Sequence, residues 1–412
     1  MSFFSKIFQK VFSARVQILW VAAIILSIYF ICFAIQNAGQ TSHGFASHYT
    51  ASALLSKGEN IVDFYDDEWF SSMVEEYVPG VYEIYLVNMP TTSLLLLPIA
   101  NFNYKTAKTF WTIFNILLLT VVFGLIKYKL KLEAVWLPLA LIILLAFQPL
   151  YANITFGQVY IFIFSLFMVA WFAYESGNEL LLGISIGIVF ILKSAGIFLL
   201  ILLVVKKKWK SLLWFFAIVI FLFAVTIPIL GIESWSAYLN KLLDYYSSPT
   251  LSVTAYQSVH SFFHHLFVFD QQWNPVPLIN LPMLGKTMTI SFTLIFLIVT
   301  IIAAIKSKKE DLVFGSFVIA GIILSPLSID YHYMLILIPI FILFNRLIKN
   351  PSAALWILFV FSYLLIAASI PYISPKVTGG IWAVFAYPKL YGAVALWVLS
   401  LRASFINRPP VS

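Results

Sequence analysis

Charge is scarce in this chain. Asp, Glu, Lys and Arg make up only 10% of its 412 residues, while 62% are hydrophobic. Soluble domains carry roughly 25% charged and about 45–50% apolar residues, so there is too little polar side chain here to cover a water-facing surface, and a soluble protein is excluded. Cysteine is nearly absent. The single Cys32 lies inside a hydrophobic run, which excludes a disulfide framework and a cysteine-based zinc site. No Gly-rich phosphate loop, internal repeat or soluble domain is present. The missing repeat counts against an alternating-access transporter built from matched halves. The net charge is +8, but the basic residues sit at the ends of hydrophobic runs, so nucleic-acid binding is not implied.

What the chain does have is a series of runs of about 20 apolar residues, each long enough to cross roughly 30 Å of hydrocarbon. Their flanks are sorted by charge. Lys6, Lys10 and Arg15 precede the first run, Val16–Ile35, and place the N-terminus in the cytoplasm by the positive-inside rule. That run is too long for a signal h-region and lacks a small-x-small cleavage site, so it reads as a span. The other basic clusters are Lys127/Lys129/Lys131, Lys206–Lys208 with Lys210, Lys306/Lys308/Lys309, Arg346/Lys349 and Arg402/Arg408. Placing them all inside puts 17 of 25 Lys and Arg on the cytoplasmic side and 12 of 17 acids outside, with all six histidines. An external functional site is expected, in a cell-membrane protein with cytoplasmic termini, residues 1–15 and 403–412. The larger external loops span 37–106 and 232–284, and the chain reads as one membrane domain.

Two stretches need irregular structure. Leu180–Val205 is apolar apart from Lys193, yet its flanks Glu175–Glu179 and Lys206–Lys210 both belong inside. A single helix would run about 39 Å and would carry one flank outward. A broken pair rising from the cytoplasm, with Lys193-Ser194-Ala195-Gly196 near its apex, satisfies both ends, because irregular backbone at depth is tolerated where protein or a cavity surrounds it. Pro90–Ala100 is too short to span and reads as a half-inserted helix. The fold class is therefore all-α and polytopic, with about 10–12 membrane helices including broken or re-entrant ones.

Several residues have the right chemistry for a site. An ammonium inside the bilayer costs at least ~2.5–3.5 kcal/mol, so Lys193 calls for a partner, and a phosphate at the broken helix would be one. Thr155-Phe156-Gly157-Gln158 opens a span on the outer face, where Gln158 could exchange hydrogen bonds with a hydroxyl. The loop Phe64-Tyr65-Asp66-Asp67-Glu68-Trp69-Phe70, followed by Glu75, Glu76 and Glu83, offers carboxylates that could act as a general base, hold a cation or simply solvate the loop. His260 and His264 share a helix face at a zinc-like spacing, but no Glu or third ligand accompanies them, so no metal and no other cofactor is expected. The corner Ser325-Pro326-Leu327-Ser328-Ile329-Asp330-Tyr331-His332 sets Asp330 and His332 at the start of a span, where they could cap it or contact substrate.

In order along the chain, these elements resemble the GT-C glycosyltransferases, and specifically the family 87 polyprenyl-phosphate-mannose-dependent mannosyltransferases. The resemblance runs over roughly 15–345. It is carried by Phe45, Tyr49, Ala51, Leu54-Leu55, Gly58 and Asp63; by Pro90, Leu97-Pro98, Phe110-Trp111 and Asn115; and by Gly157-Gln158, Gly183, Gly187 and Lys193. Gln257-Ser258, Ser325-Pro326, Ser328 and His332 complete it. It implies a GT-C-like helix bundle, a polyprenyl-phosphate-linked sugar donor among membrane lipids, a glycan or glycolipid acceptor, and an inverting displacement at the anomeric carbon. Lys193 and His332 would hold the donor phosphate. Tyr49, Asp63, Gln158, Gln257, Ser258 and His260 would contact substrate.

One departure bears on catalysis. The family's first loop begins Asp-Phe, and that aspartate is its expected base, whereas here Gly44 precedes Phe45. Tyr256 likewise stands where Asn commonly precedes Gln-Ser. Either a neighbour such as His43, Asp63, Asp66 or Asp67 has taken over as base, or transfer has been lost. The competing reading is a non-catalytic relative or a flippase of lipid-linked sugars, which would need the phosphate lysine but no base.

Overall fold

The computed structural model describes residues 3–86, 88–246, 248–373 and 378–405. Arg408 and the rest of the tail from 406 lie outside them, as do the side chains of Lys6, Lys10 and Arg15. Among the described residues the chain is helical, with no strand beyond a single bridge between Asp270 and Asn274.

The first segments are α1 (Phe3–Asn37), α2 (His43–Ser56) and α3 (Asp67–Tyr77), then α4 (Tyr104–Leu130), α5 (Leu137–Leu145) and α6 (Gln148–Phe156). Pro149 ends the run between α5 and α6, because proline cannot donate to the preceding turn and its ring crowds the carbonyl four residues back. The two helices meet at 49°. Next come α7 (Tyr160–Ser176), α8 (Glu179–Lys193), α9 (Ile197–Val205), α10 (Trp209–Leu230) and α11 (Glu233–Tyr246). The last are α12 (Val259–Phe267), α13 (Pro282–Lys306), α14 (Glu310–Leu324), α15 (Leu337–Lys349), α16 (Ala353–Ala367) and α17 (Pro388–Phe405).

Among the described residues, five segments are long and apolar enough to cross a membrane, and up to seven if each bent pair counts as one span. The number of full-length crossings is smaller than the sequence runs suggest. Breaks at Pro149, at Gly196 and before Pro388 divide apolar stretches into shorter helices, and α7 and α16 are apolar but under full span length. Burial separates periphery from core. In the most apolar stretch of α10 only 11% of residues are buried, against 72% for Asp330–Lys349, so α10 faces lipid and α15 is central. The chain is a multi-pass membrane protein.

The broken pair is present. α8 ends at Lys193, Ser194 and Gly196 take left-handed φ of 48° and 83°, and α9 starts at Ile197. Glycine on one face of α8 lets α10 lie against it. A Cβ at Gly183 would stand 2.3 Å from the Ser211 carbonyl oxygen, and one at Gly187 2.3 Å from Ile218, a close approach typical of membrane helix pairs. Pro90–Ala100 differs from the half-helix expected of it. It forms two 3₁₀ turns, Pro90–Leu94 and Leu97–Ile99, because Pro90 and Pro98 remove backbone donors and the hydroxyls supply other bonds. Thr91 and Thr92 donate to the carbonyls of Ile191 and Leu192 at the end of α8, so this segment braces the break.

Candidate active site

A cavity of about 890 Å³ opens where five irregular or terminal segments meet: the start of α2, the loop 83–89, the α6–α7 turn, the α8–α9 break and the corner 325–332. Each reaches it for a local reason. Gly157 closes α6 in a left-handed conformation (φ 60°), with its N–H on the Ile154 carbonyl, and turns Gln158 toward the cavity. Trp111 of α4 holds that turn by donating to the Gly157 carbonyl at 3.0 Å, while the buried Lys108 donates to the carbonyls of Gln40 and Thr155. The corner is tied to α12 rather than to solvent. The Gln257 N–H donates to the Ser328 carbonyl at 2.7 Å, and the Ser258 hydroxyl to the Pro326 carbonyl at 3.2 Å.

Lys193 lines the cavity from the break, and its ammonium donates to Asn88 Oδ1. Asn88 is itself fixed, giving its Nδ2 to the Tyr85 carbonyl at 2.7 Å and accepting from the Tyr65 hydroxyl at 2.8 Å. Among the described residues no carboxylate pairs with Lys193. A cation held by one neutral amide at the edge of an apolar region leaves most of its charge uncompensated. His332 stands beside it in the lining. Its Nδ1 accepts the Ile329 N–H at 2.9 Å, which leaves the ring proton on Nε2, and Tyr160 packs edge-on at 4.3 Å.

Two carboxylates line the cavity, and they differ. Asp330 is occupied: it accepts from Tyr372 and from Gln148 Nε2, with Lys389 Nζ 3.8 Å away. Glu83 is held more loosely. His43 Nδ1 lies 3.6 Å from its carboxylate, and its side chain keeps 26% exposure. Burial raises the Glu83 carboxyl above its ordinary pKa, against the smaller opposing effects of His43 and the Ile84 N–H. A carboxylate raised toward neutrality is a better base than an ordinary exposed one.

Between these ends sit two buried polar groups that face each other. His48 Nδ1 and Gln158 Oε1 make no hydrogen bond of ordinary geometry, although the two side chains interact and both residues line the cavity. Buried polar atoms are seldom left unpaired, so such a pair fits a ligand that brings hydroxyls. Burial, and then the charge of Lys193, hold His48 well below the ordinary histidine pKa, so it stays neutral and can accept as well as donate. Beside these, serines and tyrosines share the lining with an apolar wall of Phe190, Ile197, Phe198 and Leu199 at the break and Phe317 and Val318 of α14.

The structure brings His43, Glu83, Gln158, Lys193, Asp330 and His332 together in this cavity and leaves Tyr49, Asp63, Asp66, Asp67, Gln257, Ser258 and His260 outside it. Asp66 caps α3, accepting from the N–H groups of Glu68 and Trp69 at 3.0 and 3.1 Å. Asp67 pairs with Lys241 at 2.6 Å. Asp63 lies in the 3₁₀ turn Ile61–Tyr65. Tyr49 is buried and donates to the Phe102 carbonyl at 2.8 Å. Gln257 is consumed by the carbonyls of Thr254 and Ala386, and Ser258 caps α12. His260 stacks on His264 at 4.0 Å, and no third ligand joins them among the described residues. Burial and the neighbouring His264 push the His260 pKa down to about 4. Sequence reasoning passed over Asn88 and reached Glu83 and His48 only as members of a set, the first-loop carboxylates and the six histidines. Glu83 was one acid among many in its loop, and only folding sets it against His43, 40 positions upstream.

Position 44 has a steric explanation. A Cβ on Gly44 would stand 2.0 Å from Gln158 Nε2 and 2.9 Å from the Phe156 carbonyl oxygen. Gln158 therefore occupies the space that a side chain at position 44 would fill. Gly44→Asp is expected to lower stability by about 1–3 kcal/mol through overpacking, read by thermal unfolding in detergent. Adding Gln158→Ala to the same chain should return most of that loss. Equal stability of Gly44→Asp and wild type would show that Gln158 does not hold this space.

The model of a protein family described as glycosyltransferase family 87 matches residues 86–328. That stretch is more than half of the chain and holds Asn88, Gln158 and Lys193, while α2, Glu83 and His332 lie beyond it. No curated protein and no solved structure matches the chain.

Proposed function

The chain belongs to glycosyltransferase family 87 and is a membrane glycosyltransferase; from that premise we propose that its cavity moves a hexose, mannose by family resemblance, from a polyprenyl-phosphate donor to a hydroxyl of a glycan or glycolipid. The observation that carries this reading is the coexistence, in one cavity, of a lysine without a carboxylate partner and a carboxylate that meets His43 but no lysine or arginine among the described residues, with an apolar wall beside the lysine. A lipid phosphate matches the first and the wall. A sugar or acceptor hydroxyl matches the second.

In this mechanism the donor's chain lies along the apolar side chains of the α8–α9 break and α14, in a GT-C-like bundle. Its phosphate meets Lys193, with His332 Nε2–H as a second donor. Sugar hydroxyls engage His48 Nδ1 and Gln158 Oε1. Glu83 removes the proton from the acceptor hydroxyl, and the oxygen attacks the anomeric carbon on the face opposite the phosphate. The carbon–oxygen bond to phosphate breaks, the phosphate leaves with the electron pair, and Lys193 stabilises the charge that develops there. Inversion follows from this single displacement. His43 orients Glu83 and tunes its basicity. By the charge sorting of the sequence, the reaction takes place on the extracytoplasmic face, served by the loops 37–106 and 232–284.

The test is sugar transfer in proteoliposomes with radiolabelled polyprenyl-phosphate-mannose and glycolipid acceptors. The expected result is a labelled glycolipid of inverted configuration. Donor that binds in a Lys193-dependent way yet passes no sugar to any acceptor would instead identify a carrier of lipid-linked sugars.

A further inference from the structure

The basic ends of the helices do more than surround the core: they converge on a second concavity, of about 790 Å³, lined by Lys129, Lys206, Lys208, Lys308, Lys309 and Arg346. Among the described residues three carboxylates face these six cations, and each is engaged. Glu175 pairs with Lys129 at 2.6 Å, Glu310 with Lys206 at 2.7 Å, and Asp311 with Arg346 at 2.7 Å. Among the described residues none of these carboxylates pairs with Lys208 or Lys308, so the lining keeps an excess of positive charge. Lys208 lies 5.2 Å over the Tyr174 ring, a contact that brings no negative charge.

Membrane topology asks only that basic residues lie near these helix ends. It does not ask for a concavity or for the turn that builds one wall of it. Lys207 adopts a left-handed φ of 54°, a conformation unfavourable for a residue with a Cβ. That turn sets Lys206 and Lys208 on the wall, while Lys207 is exposed and off it. The next residue, Trp209, begins α10 and is 60% exposed, the placement of an aromatic at the level of lipid headgroups. The ends of the spans α4 and α13 flank the same place.

We propose that this concavity is an anion site for a phosphate ester, supplied by the headgroup of an anionic glycerophospholipid, with Lys208 and Lys308 as its principal contacts. The ester's charge would offset the excess at a point where the span ends already border lipid. The site stands apart from the cavity and does not depend on the transferase reading.

Native mass spectrometry of the full chain tests it, with phosphatidylglycerol, with phosphatidylcholine, and with phosphatidylglycerol plus inorganic phosphate. Each lysine near an anionic headgroup contributes enough that Lys208→Gln/Lys308→Gln should weaken phosphatidylglycerol binding about 10–30-fold. Lys127→Gln/Lys210→Gln, exposed at the same face but outside the concavity, should leave it unchanged. Displacement of the lipid by inorganic phosphate, with phosphate alone protecting wild type but not the Lys208/Lys308 variant against thermal unfolding, would make the free ion the ligand. Persistence of the lipid in phosphate would make it the headgroup. Equal retention of phosphatidylglycerol and phosphatidylcholine with no effect of phosphate would overturn the site. So would an equal loss in the Lys127/Lys210 variant, since that is general surface attraction.

Discussion

Glu83→Gln is expected to lower sugar transfer about 10²–10⁴-fold, the usual contribution of a general base, while leaving donor binding intact. The amide has nearly the same shape and can still face His43, but it cannot take a proton. The pH profile separates a base from a structural residue. Burial raises the Glu83 carboxyl, and the base works only when deprotonated. Transfer should therefore fall as pH drops through that raised value, at a higher pH than an ordinary carboxylate would give. His43 favours the charged carboxylate, so His43→Ala should raise the Glu83 pKa further and move the acidic limb upward. A limb that stays in place in His43→Ala, or a Glu83→Gln chain with full activity, would remove Glu83 from the base role. Asp66→Asn and Asp67→Asn should leave the profile unchanged, because those carboxylates cap α3 and pair with Lys241.

Lys193→Met should remove donor binding and transfer by about 10²–10³-fold, comparable to deleting one donor from a site that stabilises developing anionic charge. Its effect on folding should run the other way. The ammonium is placed in an apolar setting with Asn88 as its hydrogen-bond partner, and an ammonium at such depth costs at least ~2.5–3.5 kcal/mol without an anion. Methionine keeps the stem and discards the charge. The chain should then unfold at an equal or higher temperature than wild type while its activity is lost. If Lys193→Met destabilised the protein and activity fell only in proportion to the folded fraction, the lysine would be structural. Thermal unfolding and transfer measured on the same preparation decide between the two.

Much of the architecture was legible because membrane insertion is governed by local sequence. Apolar runs and their charged flanks say where the chain crosses and where it turns back. The break at Lys193–Gly196 followed from the same reasoning: its flanks had to lie on one side, and Glu175 and Lys206 do line one concavity. Pro90–Ala100 was harder, since its structure depends on hydroxyls reaching the carbonyls of Ile191 and Leu192, about 100 residues away.

The candidate site divided along the same line. Lys193 was visible by itself, because a charge inside an apolar run has few explanations. Gln257 and Ser258 were visible as a motif, but their hydrogen bonds go to backbone in the corner 325–332 and in Ala386. They hold the corner that presents His332 and do not line the cavity. Glu83 carried no local mark. An acid in an acidic loop is ordinary until the fold buries it, and burial is a property of what packs around it.

By itself, then, the sequence determined that the chain is helical and spans a membrane, and it singled out one lysine inside an apolar run. Those are consequences of transferring short stretches of chain from water to hydrocarbon, a cost each stretch incurs on its own. Tertiary structure alone decided which carboxylate stands against His43 in the cavity, that Gln158 fills the space beside Gly44, and that six cations from distant helix ends share one concavity. Each of these depends on contacts between residues far apart in the chain, which hydropathy and spacing do not encode.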